Sequence, residues 1–167
     1  MQINRQTLWP GRLGAIQTLS EMKRLTVEAI HSQLPRYAAI NLISGASIGN
    51  PELFVRALVL WIINRVKVVD EFEELLISPK IMLEEIGRQG YTAGDCDDMA
   101  MLAASMLASV GADVRFRAVY PLPDGSYRHV IVEYLFPGQP DWQSIDPRAG
   151  IGQKSYPEDS LTMDVIS

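Results

Sequence analysis

The sequence predicts an α+β fold in which N-terminal helices and one central helix, carrying the chain's single cysteine, pack with a small antiparallel β-sheet. Three observations predict it. In the first third, Leu13, Ile16, Leu19, Met22, Leu25 and Ile30 recur near a 3.6-residue period. A second helical pattern, Met99, Leu102, Met106, Leu107 and Val110, follows Gly94-Asp95-Cys96-Asp97-Asp98 directly and stops at Gly111. Beyond Gly111 the period drops to 2, the signature of a half-buried strand.

Taken in order, the first pattern runs to Pro35 and predicts an amphipathic helical hairpin or lid. Residues Ile43 to Pro51, rich in Gly and Ser, form a soft break. From Glu52 to Val69 the chain is apolar on nearly every side, which predicts a buried helix with Arg56, Asn64 and Lys67 leaving the core. The acidic stretch Asp70 to Glu74 leads to Ser78-Pro79 and a short segment through Ile86, broken at Gly87 and Gly90. In the cysteine helix, Ala100, Ala103, Ala104 and Ala108 leave one side small enough for close approach by a neighbour.

Val114, Phe116, Ala118 and Tyr120 alternate with Arg115, Arg117 and Val119, and Asp124-Gly125 is a hairpin-turn signal. A second strand is predicted from Tyr127 to Phe136 and, after Pro137-Gly138 and Pro140, a third from Trp142 to Asp146. The polar tail from Pro147 onward is expected to lie over the surface or hang loose. The chain thus divides into a helical extension over residues 1–50, a core over 51–150 and a tail over 151–167.

A chain of 167 residues, 47% apolar and 21% charged, has the size and balance of one globular domain. The net charge of −5 concentrates after residue 50: residues 1–50 carry five Lys/Arg against two acids, residues 51–100 five against ten, and residues 101–167 five against eight. No basic face for nucleic acid emerges. The longest strongly apolar run, Ala57 to Ile63, is far short of a bilayer span of ~20 residues, and polar Gln2, Asn4 and Arg5 after Met1 do not begin a signal sequence. The expectation is therefore no membrane partner and a cytoplasmic location in the producing cell. A single cysteine excludes an intrachain disulfide and the usual zinc frameworks. Asp95, Asp97 and Asp98 lack the alternating spacing and distal Glu of a calcium loop, so neither metal nor cofactor is expected. His31, without an acidic or thiol neighbour, reads as a surface residue.

The chemistry centres on Cys96. Asp95 is a plausible N-cap, which puts Cys96 in the first helical turn, where unpaired amide N–H groups and the helix dipole favour an anion. Thiolates are stabilised in that setting, more so beside an imidazolium. Asp97 and Asp98 push the other way and must point outward for that reading to hold. A buried structural thiol is the bland alternative, but three aspartates around a cysteine make a poor core sequence. His129 lies on the second strand and shares a face with Ile131 and Glu133, while Asp146 ends the third. On adjacent antiparallel strands these two meet, and both can face the start of the cysteine helix. The imidazole would then take the thiol proton, with the carboxylate fixing its tautomer. Singly, a strand histidine or an Asp before Pro147 is an ordinary surface or turn residue, and the order helix, strand, strand is what joins them.

Gly94-Asp95-Cys96-Asp97-Asp98 with its Ala-rich helix, Arg115-Phe116-Arg117, His129-Val130-Ile131-Val132-Glu133 and Trp142-Gln143-Ser144-Ile145-Asp146-Pro147 together resemble the transglutaminase-like superfamily, over about Arg56 to Pro147. That resemblance implies a papain-like core with Cys96 as nucleophile, His129 as general base and Asp146 as orienting acid. It also implies cysteine-dependent acyl transfer or hydrolysis at amide bonds of a protein or peptide: a protease, amidase or transglutaminase. The second oxyanion donor has no matching motif, with Gln89, Tyr91 and Trp61 as candidates. The helical segment from Gly14 through Ile30 resembles the extension of short transglutaminase-like proteins encoded by tailed phages, implying incorporation in a virion and a role on phage structural proteins or the host cell wall. The rival reading is a non-catalytic structural or assembly protein of a phage particle that retains this fold.

Overall fold

The computed structural model describes residues 3–5, 11–43, 47–69, 75–146, 150–151 and 160–165. Strand β1 (Ile3–Arg5) is followed by two helices, α1 (Gly11–His31) and α2 (Leu34–Leu42). Gln33 reverses the chain between them in the left-handed region, at φ 67°. Pro35 stands in the first turn of α2, where its missing N–H deprives the helix of nothing. The apolar period of α1 is used as read: Leu19, Met22 and Leu25 are buried, and His31 is exposed.

Helix α3 (Pro51–Arg65) is capped by Asn50, whose side chain accepts the Leu53 amide at 3.2 Å. It corrects two expectations. Phe54, Val55, Leu58, Val59 and Ile62 form one buried face, whereas Leu53, Leu60 and Ile63 are exposed, so the helix is not buried all round. It also stops at Arg65 because Val66-Lys67-Val68, flanked by β-branched valines, leaves the helix as β2 (Val66–Val68). Strand β3 (Leu75–Ile77) then leads into α4 (Pro79–Gln89), capped by Ser78 and ended by Gly90 at φ 90°. Gly87 lies within α4 on its exposed side and does not break it. Strand β4 (Thr92–Gly94), unforeseen like β2 and β3, pairs parallel with β2, while β1 pairs antiparallel with β3. The acidic run 70–74 lies outside the described residues.

Helix α5 (Cys96–Ser109) is the centre of the molecule. Every residue from Asp98 to Leu107 is buried, with α1 and α2 packed on it as well as strands of the sheet. The small residues Ala100, Ala103 and Ala104 have no exposed surface, as close approach requires. Gly111, at φ 99°, turns the chain into β5 (Asp113–Pro121), and a turn with Gly125 at φ 87° returns it as β6 (Tyr127–Leu135). Then follow β7 (Gln143–Asp146), β8 (Gly150–Ile151) and β9 (Leu161–Asp164), giving an antiparallel sheet ordered β8-β7-β6-β5-β9. The tail is thus neither wholly surface nor loose: β9 pairs with the edge of β5, and Val165 is buried with its amide bonded to the Val114 carbonyl at 3.0 Å. Four alternating residues gain strand structure there because β5 offers them an open edge. Residues 147–149, 152–159 and 166–167 of that tail lie outside the described residues. Leu19, Met22 and Ala39 share one buried cluster with Phe54, Met99, Phe116 and Val132, so the N-terminal helices and the sheet enclose a common core.

Candidate active site

Asp95 caps α5. Its Oδ1 accepts the amides of Asp97 and Asp98 at 3.0 and 3.2 Å, and Asp98 Oδ2 accepts the Asp95 amide at 3.0 Å, completing a capping box. Cys96 is consequently the first helical residue, half-buried, with its backbone amide ahead of the helical ladder.

The flanking acids correct the sequence reading. Asp98 points inward rather than outward: it is 1% exposed, and its Oδ1 also accepts the amide of Ile77 on β3 at 2.8 Å. Gly94 makes room for it, since a Cβ there would lie 2.9 Å from Asp98 Cβ and 3.1 Å from Oδ2. Burial, with Asp95 and Asp97 close by, pushes Asp98 up to about 8 against the two amide bonds that favour its anion. Asp97 is turned toward the thiol, and Cys96 Sγ donates to its Oδ1 at 3.6 Å. The helix N-terminus therefore favours the thiolate while Asp97 opposes it.

On the sheet, β6 and β7 run antiparallel with Val132 opposite Ile145 and Glu133 opposite Ser144. Carried on, this register sets Asp146 on the face of Ile131 and His129, within diagonal reach of the ring. The side chains meet: His129 Nε2 and Asp146 Oδ2 are 2.7 Å apart, at 16% and 20% exposure. With Nε2 engaged by the carboxylate, Nδ1 is the ring nitrogen left to serve a thiol.

Cys96 and His129 line one cleft of about 370 Å³. Ala118 and Val130 reach it from one face of the sheet and His129 from the other, which sets the cleft at the end of the β5–β6 hairpin. Further walls come from the first two turns of α1 and from Asp124 and Ser126 of the hairpin turn. This α1 wall was the part least evident beforehand; its signal was the small-residue spacing Gly11, Gly14, Ala15 and Thr18 on one helical face. Gly11, at φ 66°, abuts the turn so closely that a Cβ would lie 2.3 Å from the Asp124 carbonyl oxygen.

None of the three candidate oxyanion donors lines this cleft. Trp61 packs half-buried against the core, Gln89 Nε2 donates to the Tyr91 carbonyl at 3.1 Å, and the Tyr91 ring lies 4.0 Å beneath the Lys67 ammonium. Farther along the face of His129, Glu133 is buried between Arg115 and Arg117, at 2.8 and 2.7 Å, and Arg115 stacks on Trp142. Among the described residues no group of three His, Cys, Asp or Glu is gathered to hold a metal, and no helix is long and apolar enough to cross a membrane.

Compared with known families, residues 43–147 match the model described as the transglutaminase-like superfamily. The match opens before Arg56, taking in all of α3, and contains Cys96, His129 and Asp146. No curated protein matches the chain.

Proposed function

Since the chain belongs to the transglutaminase-like superfamily, a family of cysteine-dependent catalysis in general, we propose that it performs acyl transfer or hydrolysis at amide bonds of a protein or peptide, with Cys96, His129 and Asp146 as its catalytic triad. The observation that carries this reading is the 2.7 Å His129–Asp146 bond at a cleft that also contains the chain's single thiol.

In this reading the Cys96 proton passes to His129 Nδ1 and the sulfur adds to the amide carbonyl carbon. The resulting oxyanion forms beside the first amide of α5, where the helix dipole favours negative charge. Collapse breaks the C–N bond, and the leaving amine or ammonia takes the proton from the His129 imidazolium. Water or a second amine then gives a proton to His129 and attacks the thioester. The S–C bond breaks, and an acid or a new amide leaves with the thiol restored. Asp146 holds the ring orientation and balances the charge of the imidazolium throughout. Water as acceptor makes a protease or amidase, and an amine makes a transglutaminase. The likeness of the Gly14–Ile30 segment to phage-encoded relatives supports phage structural proteins or the host wall as the substrate source.

Intact-mass spectrometry after incubation with glutamine-containing peptides tests the reading. The expected result is a hydroxylamine-labile acyl adduct on Cys96 that is absent from Cys96→Ala and accumulates less in His129→Ala. A folded protein that never acylates would favour the non-catalytic particle role.

A further inference from the structure

The cleft around Cys96 is unevenly charged. Among the described residues, carboxylates of Asp95 and Asp97 stand at the thiol end and Asp124 at the hairpin end, against one guanidinium, Arg128. Asp95 is engaged in the helix cap. Asp124 accepts the Ser126 hydroxyl and amide at 2.6 and 2.9 Å, bonds that hold it below the usual carboxylate range. Asp97 alone of the three accepts from the sulfur. Facing them, Gly11, Gly14, Ala15 and Thr18 form a small uncharged wall that admits a chain but offers no cation of its own.

The Asp97 contact works against the chemistry proposed above. A carboxylate at the sulfur favours the neutral thiol and competes with His129 for its proton. A cation placed against that carboxylate removes the competition.

We propose that Asp97 is the specificity residue of this cleft, pairing with a primary ammonium or guanidinium on the substrate beside the amide to be attacked, and that this pairing frees the Cys96 thiol for His129. The inference rests on Cys96 and His129 being the catalytic pair. On binding, an N–H of the substrate cation donates to Asp97 Oδ1 in place of the thiol, and the thiol proton goes to His129 Nδ1. The cationic group is a recognition element and is neither the leaving nor the accepting amine. An anionic group at the same place would meet like charge and leave the thiol on Asp97.

Methanethiosulfonate probes carrying a 2-aminoethyl, a 2-sulfonatoethyl or a methyl group report on this directly, each rate being divided by that with free cysteine. In the wild type at low salt the cationic probe is expected to outpace the anionic one by about tenfold or more. In Asp97→Asn the ratio should fall to within about threefold while the neutral probe reacts faster. Asp97→Ser serves if the asparagine variant does not fold, and Asp124→Asn should keep most of the ratio. A wild-type ratio near one, a ratio unchanged without the Asp97 carboxylate, or a ratio lost only in Asp124→Asn overturns the proposal. Failure of the catalytic reading looks different: His129→Ala would leave the neutral-probe rate unchanged whatever the charge ratio.

Discussion

His129 and Asp146 meet across the β6–β7 pair, ring Nε2 to carboxylate Oδ2, at 2.7 Å. An asparagine at 146 keeps the shape but can present an N–H to the ring and favour the wrong tautomer. Asp146→Asn is therefore expected to leave the thermal transition nearly unchanged and to lower turnover on the order of tenfold to a thousandfold. Equal kcat/KM in the two proteins, with equal Cys96 labelling rates across pH, would reduce the proposed triad to a dyad.

His129 is expected to serve chemistry rather than packing, because its ring is partly exposed at the cleft while Ile131 beside it on the same face fills the interior. His129→Ala should fold with a cooperative melt and label with iodoacetamide at neutral pH at least about tenfold more slowly. Loss of the melt would assign the residue to the core instead.

Asp98 makes stability depend on pH in an unusual direction. Its folded value of about 8 lies above the ordinary carboxylate value of ~3.9 in an unfolded chain. The neutral form is thus the one the fold prefers, and its contribution is complete below pH ~3.9 and lost as pH rises toward the folded value. Comparison with Asp98→Asn isolates this, since other carboxylates cancel. In urea melts from pH 4 to 9 the stability advantage of wild type over the variant should shrink with pH, by at most ~1.4 kcal/mol per unit, and level off above about 8. An advantage constant over this range would show Asp98 to be ionised throughout.

Gly94→Ala tests the same anchor from the other side. The added Cβ would lie 2.9 Å from Asp98 Cβ, and Asp98 has little freedom to yield because its oxygens hold the Ile77 and Asp95 amides. A loss of about 1–3 kcal/mol is expected, together with a changed Cys96 labelling rate because the start of α5 must shift. Calorimetry and iodoacetamide kinetics on one preparation read both.

Features signalled locally were legible in the sequence. Cys96 follows a capping aspartate, the hairpin turns at Asp124-Gly125, and the period changes beyond Gly111, so α5, β5, β6 and β7 fell close to where they were read. Strands β2, β3 and β4 have three residues each, too few to establish a period, and exist by pairing with distant chain: Val66 with Thr92, Ile77 with Ile3. Strand β9 is likewise specified by the free edge of β5. At the site, the residue types and their order were readable, but the directions of Asp97 and Asp98 were not. That of Asp98 is set by the capping box and by the Ile77 amide, which comes from a strand the sequence did not announce.

In the proposed reaction, the two groups that exchange a proton are held in different layers. Asp98 ties the start of α5 to β3, Asp146 holds the His129 ring to the sheet, and Ala100, Ala103 and Ala104 lie fully buried along the helix that carries the sulfur. The spacing between sulfur and imidazole is then governed by how closely a helix seats on a sheet rather than by any short covalent path. Such a pair behaves as a thermometer of the interior: on mild warming or in dilute denaturant, competence should fade while backbone order is still intact.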